Sequence, residues 1–158
     1  MDALTDPVRI AVESPLSPDL DQLFARHVQA MHADTPPESI HMLPREDLAL
    51  PRITFLVMRD RGLPVGMGAL KRLTGGQGEI KSMHVLAERR GQGLSRRLLD
   101  ALVDQARAIG MTRLSLETGA QDSFQAARGL YAGAGFRDCG PFEGYGPDPN
   151  SVFMTRTL

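Results

Sequence analysis

The sequence predicts an α/β fold with α+β character, a mixed central β-sheet of about six to seven strands with helices on both faces. Three observations predict it. In the first half, the apolar runs Ile53–Arg59 and Pro64–Leu73 flank Asp60-Arg61-Gly62, which reads as an antiparallel hairpin. In the middle, Glu79 to Glu117 reads as strand, amphipathic helix and strand, the signature of a parallel pair joined by a crossover within one sheet. In bulk, 158 residues with 42% hydrophobic and 23% charged side chains suffice for one domain, 1–158, whose core needs no staples.

Val8–Val12 is short and apolar, a first strand. Two prolines then mark a turn, and Ser17 or Asp19 is placed to cap a helix running to about His32, with Leu20, Leu23, Phe24, Val28 and Met31 at helical spacing. The Pro-rich stretch from His32 to Pro44 is long and carries ligand-capable side chains, so it reads as a lid over a site. Arg45–Leu50 suggests a single helical turn. Gly66 and Gly68 mark the second hairpin strand as bulged or closely approached, and Thr74–Gly78 is a turn. Strand Glu79–Val85 leads through Leu86–Arg90 into a Gly-containing corner and a helix from Gly91 to Ile109, capped by Gly110. Arg113–Glu117 is a strand, Ser123–Ala132 a helix, Phe136–Cys139 a strand, Gly140–Asn150 an irregular loop and Ser151–Thr157 a last strand.

The formal net charge of -1 gives no general attraction to nucleic acid or membrane, and neither partner is expected. A single cysteine, Cys139, excludes an intrachain disulfide, fits a reducing cytoplasmic setting and reads as a small hydrophobe rather than a nucleophile. The N-terminus lacks a basic segment followed by an apolar run, and no apolar stretch is long enough to span a membrane. His32, His41 and Asp34 have no HxH or HExxH spacing, so no metal is expected.

Basic residues gather instead at Arg89, Arg90, Arg96 and Arg97, around Arg90-Gly91-Gln92-Gly93-Leu94-Ser95. A strand, a glycine turn and a helix start make an anion site, because glycines let the backbone approach a ligand and the first helical N–H groups lack internal partners. Flanking arginines add charge-assisted donors. The pattern suits a phosphate or pyrophosphate. It does not match a dinucleotide fingerprint, since Arg96 stands at the third glycine position, and there is no Walker Gly-Lys-Ser/Thr.

With these elements in place, the chain resembles the GNAT superfamily of acetyl-CoA-dependent N-acetyltransferases, in the manner of small stand-alone bacterial members. Met83-His84-Val85 followed by Arg90–Ser95 is similar to the family's Arg/Gln-x-x-Gly-x-Gly/Ala motif, and Leu130–Phe136 matches its LYxxxGF pattern. The element order extends the likeness over essentially the whole chain. Two departures stand out: Ser95 occupies the last motif position, and Phe124 stands where many members carry Asn.

The resemblance implies a GNAT fold and acetyl-CoA as co-substrate. Met83, His84 and Val85 would lie along the pantetheine, with the main chain of Met83 and Val85 bonding it. Arg90, Gly91, Gln92, Gly93, Leu94, Ser95 and Arg96 would hold the pyrophosphate. Direct transfer to an amine needs a base, for which Glu79 is the first choice on the resemblance to the histone acetyltransferase branch, with Glu117 and His84 as alternatives. It also needs an oxyanion donor, the N–H of Val85 or Met83, and an acid, Tyr131. Strict alternation along the strand puts Glu79, Lys81, Met83 and Val85 on one face and Ile80, Ser82 and His84 on the other. His32, Ser39, His41, Glu117 and Tyr145, together with Asn150, are candidate acceptor contacts, pointing to a small polar, amino acid-like amine. A peptide amine and an acyl-CoA-binding module without turnover are the alternatives. A homodimer is a possible assembly, carried by no residue.

Overall fold

The computed structural model describes residues 6–158. Its seven-stranded sheet has the order β1-β2-β3-β4-β5-β7-β6. The strands are β1 (Val8–Val12), β2 (Ile53–Asp60), β3 (Leu63–Arg72), β4 (Gln77–Val85), β5 (Arg113–Gly119), β6 (Arg137–Cys139) and β7 (Ser151–Thr157). The helices are α1 (Asp21–Asp34), α2 (Leu94–Ala108) and α3 (Gln125–Gly133). All neighbours pair antiparallel except β4 and β5, the parallel pair that the crossover through α2 requires.

α1 and α2 cover opposite faces of the sheet. On one face Phe24 of α1 stacks on Phe55 of β2, with ring centroids 5.8 Å apart. On the other, Leu98 and Leu102 of α2 press onto Gly66 and Gly68 of β3, and a Cβ on Gly68 would lie 2.8 Å from Leu102 Cδ1. Leu98, Leu99 and Leu102 are fully buried, so the leucine stripe seals the centre of the core. α3 lies beside α2, with Arg96 Nη1 donating to the carbonyl of Gly133 at 3.4 Å.

Boundaries move where backbone conformation dictates. The helix expected from Gly91 starts at Leu94, because Gly91 and Gly93 sit at φ 80° and 76°, incompatible with a right-handed helix. Neither Ser17 nor Asp19 caps α1. A 3₁₀ turn, Pro18–Leu20, precedes the helix, and the Ser17 hydroxyl donates to Asp19 at 2.7 Å instead. The expected helix start at Ser123 likewise falls in a 3₁₀ turn, Asp122–Phe124. Cys139 is half-buried at the end of β6, and burial raises its thiol pKa. Among the described residues no helix is long and apolar enough to cross a membrane.

Candidate active site

The β4–β5 pairing lasts only from Gln77 to Glu79 against Arg113 to Ser115. Beyond that point the strands part, and β5 continues on β7 alone. The gap opens into a cavity of about 510 Å³ bounded by α1, β4, β5, α3 and the loop before α1's neighbour strand β2. Along one edge runs β4 from Ile80 to Val85, its hydrogen bonds to β5 ended.

β4 is bulged inside this edge. Met67 of β3 pairs with His84 and Ala69 with Lys81, so β4 carries one residue more than β3 between them, and Ser82 takes φ 55°. The extra residue reverses the expected facing. Residues paired across strands share a face. Glu79, Lys81 and His84 therefore stand with Lys71, Ala69 and Met67 on the α1 face, while Ile80 and Val85 stand with Leu70 and Gly66 on the α2 face. His84 is thus on the side of Glu79 rather than opposite it, and Val85 is not. The His84 ring lies 5.3 Å from that of His27 on α1. Burial lowers both imidazoles to a pKa of about 4, so both are neutral at pH 7, and neighbouring Arg90 and Arg26 add to the effect on His84.

Glu79 lies at the fork of the two strands and is only 2% exposed. Its Oε2 accepts from the Tyr145 hydroxyl at 2.5 Å and from Lys81 Nζ at 3.2 Å. Lys81 also donates to the Tyr145 oxygen at 2.8 Å. Glu117 enters the same cavity from β5, where burial raises its carboxyl pKa while the Ser151 hydroxyl, donating at 2.8 Å, opposes that rise. Tyr131 on α3 points its hydroxyl at Met83 Sδ, 3.7 Å away. Burial pushes its phenol up to a pKa of about 12, with the charge of Glu117 adding to this, so it carries its proton at neutral pH.

Three of the acceptor candidates meet at one end of the cavity. The His41 and Tyr145 rings stand edge to face at 5.2 Å, and Ser39 is buried beside them. Asn150 Nδ2 donates to Ser39 Oγ at 3.3 Å, so Asn150 joins the two loops. His32 is exposed on α1 and does not line the cavity, because its neighbour Met31 takes the inward position on the helix. At the other end, Arg90, Gly91 and Ser95 line the wall, whereas Gln92, Gly93, Leu94 and Arg96 do not. Leu94 turns into the core, and Arg96 is held by Asp100 at 3.0 Å on the surface of α2. Arg89 and Arg97 are likewise occupied, by Asp60 and Asp6. Arg90 alone of the four arginines reaches the cavity wall.

Sequence reasoning passed over His27 and gave Lys81 no role. Nothing local marks His27; only the packing of α1 on β4 brings it to the cavity. The signal for Lys81 was its period-2 spacing from Glu79.

Comparison with known proteins agrees with this architecture. The model of the acetyltransferase (GNAT) family matches residues 19–136. The N-acetyltransferase YsnE of Bacillus subtilis (strain 168) is 46% identical over 136 residues, covering 86% of this chain and 90% of the relative. An IAA acetyltransferase of Azospirillum brasilense is 46% identical over 153 residues, covering 96% and 98%. A solved structure from Klebsiella pneumoniae, described as an acyl-CoA N-acyltransferase, superposes with a TM-score of 0.78 at 32% identity, over 96% of this chain and 97% of its own. A parted parallel pair over a glycine corner, a family match across most of the chain and relatives of nearly the same length lead to one assignment: the chain belongs to the GNAT family and is an N-acetyltransferase.

Proposed function

We propose that the protein transfers an acetyl group directly from acetyl-CoA to the primary amine of a small, amino acid-like molecule. The observation that carries this reading is the parting of β4 from β5 after Glu79 and Ser115, which leaves a strand edge beside a cavity closed at one end by a glycine corner and at the other by carboxylates. An extended pantetheine fits such an edge as an added strand, bonded by the main chain of Met83 and Val85. The N–H groups from Gly91 to Arg96 suit a pyrophosphate, since Gly91 and Gly93 turn the chain at positive φ just before α2 begins. Arg90 adds charge at that end.

The thioester supplies an activated acetyl group, and the protein's own groups manage protons and charge. Glu79 takes the proton of the incoming ammonium, leaving a neutral amine to attack. The N–H of Val85 or Met83 faces the carbonyl oxygen as it gains negative charge. Tyr131 provides the proton that meets the departing sulfur, and its hydroxyl already addresses a sulfur atom, that of Met83. Ser39 and His41 form the acceptor end and offer a small polar amine hydrogen-bond partners, with the Tyr145 ring packed against His41 beside them.

The test is release of CoA from acetyl-CoA in the presence of a library of primary amines, with mass spectrometry of the products. Amine-dependent release with an acetylated small amine supports the reading. Tight binding of acetyl-CoA without release by any amine replaces it with a binding module, and acetylation confined to peptide N-termini replaces the acceptor class.

A further inference from the structure

We infer that Tyr145 is a positioning residue for the reaction: carried in by the irregular loop from Gly140 to Asn150, its hydroxyl fixes the Glu79 carboxylate and the Lys81 ammonium in one arrangement at the fork of β4 and β5. The inference rests on the role proposed for Glu79. Three hydrogen bonds close a ring between the buried Glu79 and the half-buried Lys81 and Tyr145: Tyr145 to Glu79 at 2.5 Å, Lys81 to Tyr145 at 2.8 Å and Lys81 to Glu79 at 3.2 Å. Such a ring favours one orientation, because turning either partner away takes a bond from the buried Glu79 carboxylate.

The Tyr145 ring is itself held. It packs against Phe142 at 5.0 Å, Phe153 of β7 at 5.4 Å and His41 at 5.2 Å between centroids. The loop that carries it is pinned to the segment before β2, since His41 Nε2 lies 3.9 Å from Asp148 Oδ2 and Asn150 reaches Ser39. Aromatic contact on three sides sets where the hydroxyl sits, and the hydroxyl sets where the carboxylate sits. Two segments far apart in sequence thereby meet at the group that takes the proton. Other charged groups near Glu79 are Lys71, paired with it from β3, and Glu117 from β5.

The test compares Tyr145→Phe, Glu79→Gln and the double variant, using acetyl-CoA and the amine that supports the fastest CoA release. Tyr145→Phe keeps the ring in its aromatic box and removes only the hydroxyl. Its expected effect is a kcat lower by about tenfold to a hundredfold, with KM for acetyl-CoA within about twofold and a melting temperature lowered by only several degrees. The loss is expected in kcat rather than in KM for acetyl-CoA, whereas a tyrosine that only supports the fold would lower the melting temperature and leave kcat of the folded protein unchanged. In the double variant the loss is expected to equal that of Glu79→Gln alone. Low activity in Glu79→Gln with an unchanged kcat in Tyr145→Phe overturns this inference and leaves the role of Glu79 standing. Full activity in Glu79→Gln overturns both.

Discussion

At the residue scale, the two ends of the proposed proton path are treated differently by their surroundings. Tyr131 is packed into the core against Phe136, with centroids 6.0 Å apart, and burial keeps its phenol protonated well past neutrality. A group held in its acid form and aimed at sulfur suits the departing thiolate. Tyr131→Phe is therefore expected to lower turnover by about tenfold or more while the dissociation constant for acetyl-CoA stays within about twofold, read by steady-state kinetics beside calorimetric titration. Unchanged turnover removes Tyr131 from the mechanism. Tyr145 differs, because its hydroxyl is spent on Glu79 and Lys81 rather than directed into free space.

At the scale of elements, two glycine positions do separate jobs. Gly93, at φ 76°, forms the left-handed step that ends the corner and opens α2. Gly93→Glu adds both a strained conformation, costing about 1–2 kcal/mol, and a negative charge where a pyrophosphate is proposed to sit. The expected outcome is loss of acetyl-CoA binding by titration calorimetry in a protein that still melts cooperatively; retained binding moves the phosphate site elsewhere. Gly68 lies under α2, where an added Cβ would come within 2.8 Å of Leu102 Cδ1, and Leu102 is fully buried with little room to retreat. Gly68→Ala is expected to destabilise by about 1–3 kcal/mol, seen as a lower urea midpoint with an unchanged slope. The same close approach explains why glycines recur in β3: α2 must lie directly on that strand to bring its N-terminus to the cavity.

At the scale of the whole molecule, the contact of α1 with the sheet carries a pH signature. His27 on α1 and His84 on β4 are held neutral, with pKa values lowered to about 4 from an ordinary 6.5. Below pH 6.5 the unfolded chain takes up protons that the folded one refuses, so stability conferred by the neutral pair is complete above pH 6.5 and falls as pH drops towards 4. The loss is on the order of a few kcal/mol for the two together. The melting temperature is expected to decline between pH 6.5 and 4.5, and His27→Phe is expected to flatten part of that slope. A slope unaffected by the substitution assigns the decline to other groups.

Fold class, strand order along the chain and the glycine corner before α2 were legible in the sequence because they rest on local regularities. Alternation marks strands, the leucine spacing marks α2, and Gly91 and Gly93 mark a backbone turn that only such residues make easily. Tyr131 was singled out by the resemblance of Leu130–Phe136 to a family motif rather than by periodicity. Tertiary structure alone decided three things. One inserted residue at the Ser82 bulge turned His84 onto the side of Glu79, which no period-2 reading can foresee. The packing of α1 on β4 brought in His27 and left His32 outside. The folding of the 140–150 loop onto β4 joined Tyr145, Lys81 and Glu79, residues separated by up to 66 positions. Contacts between distant segments depend on how faces pack, and that packing leaves no periodic mark on the chain itself.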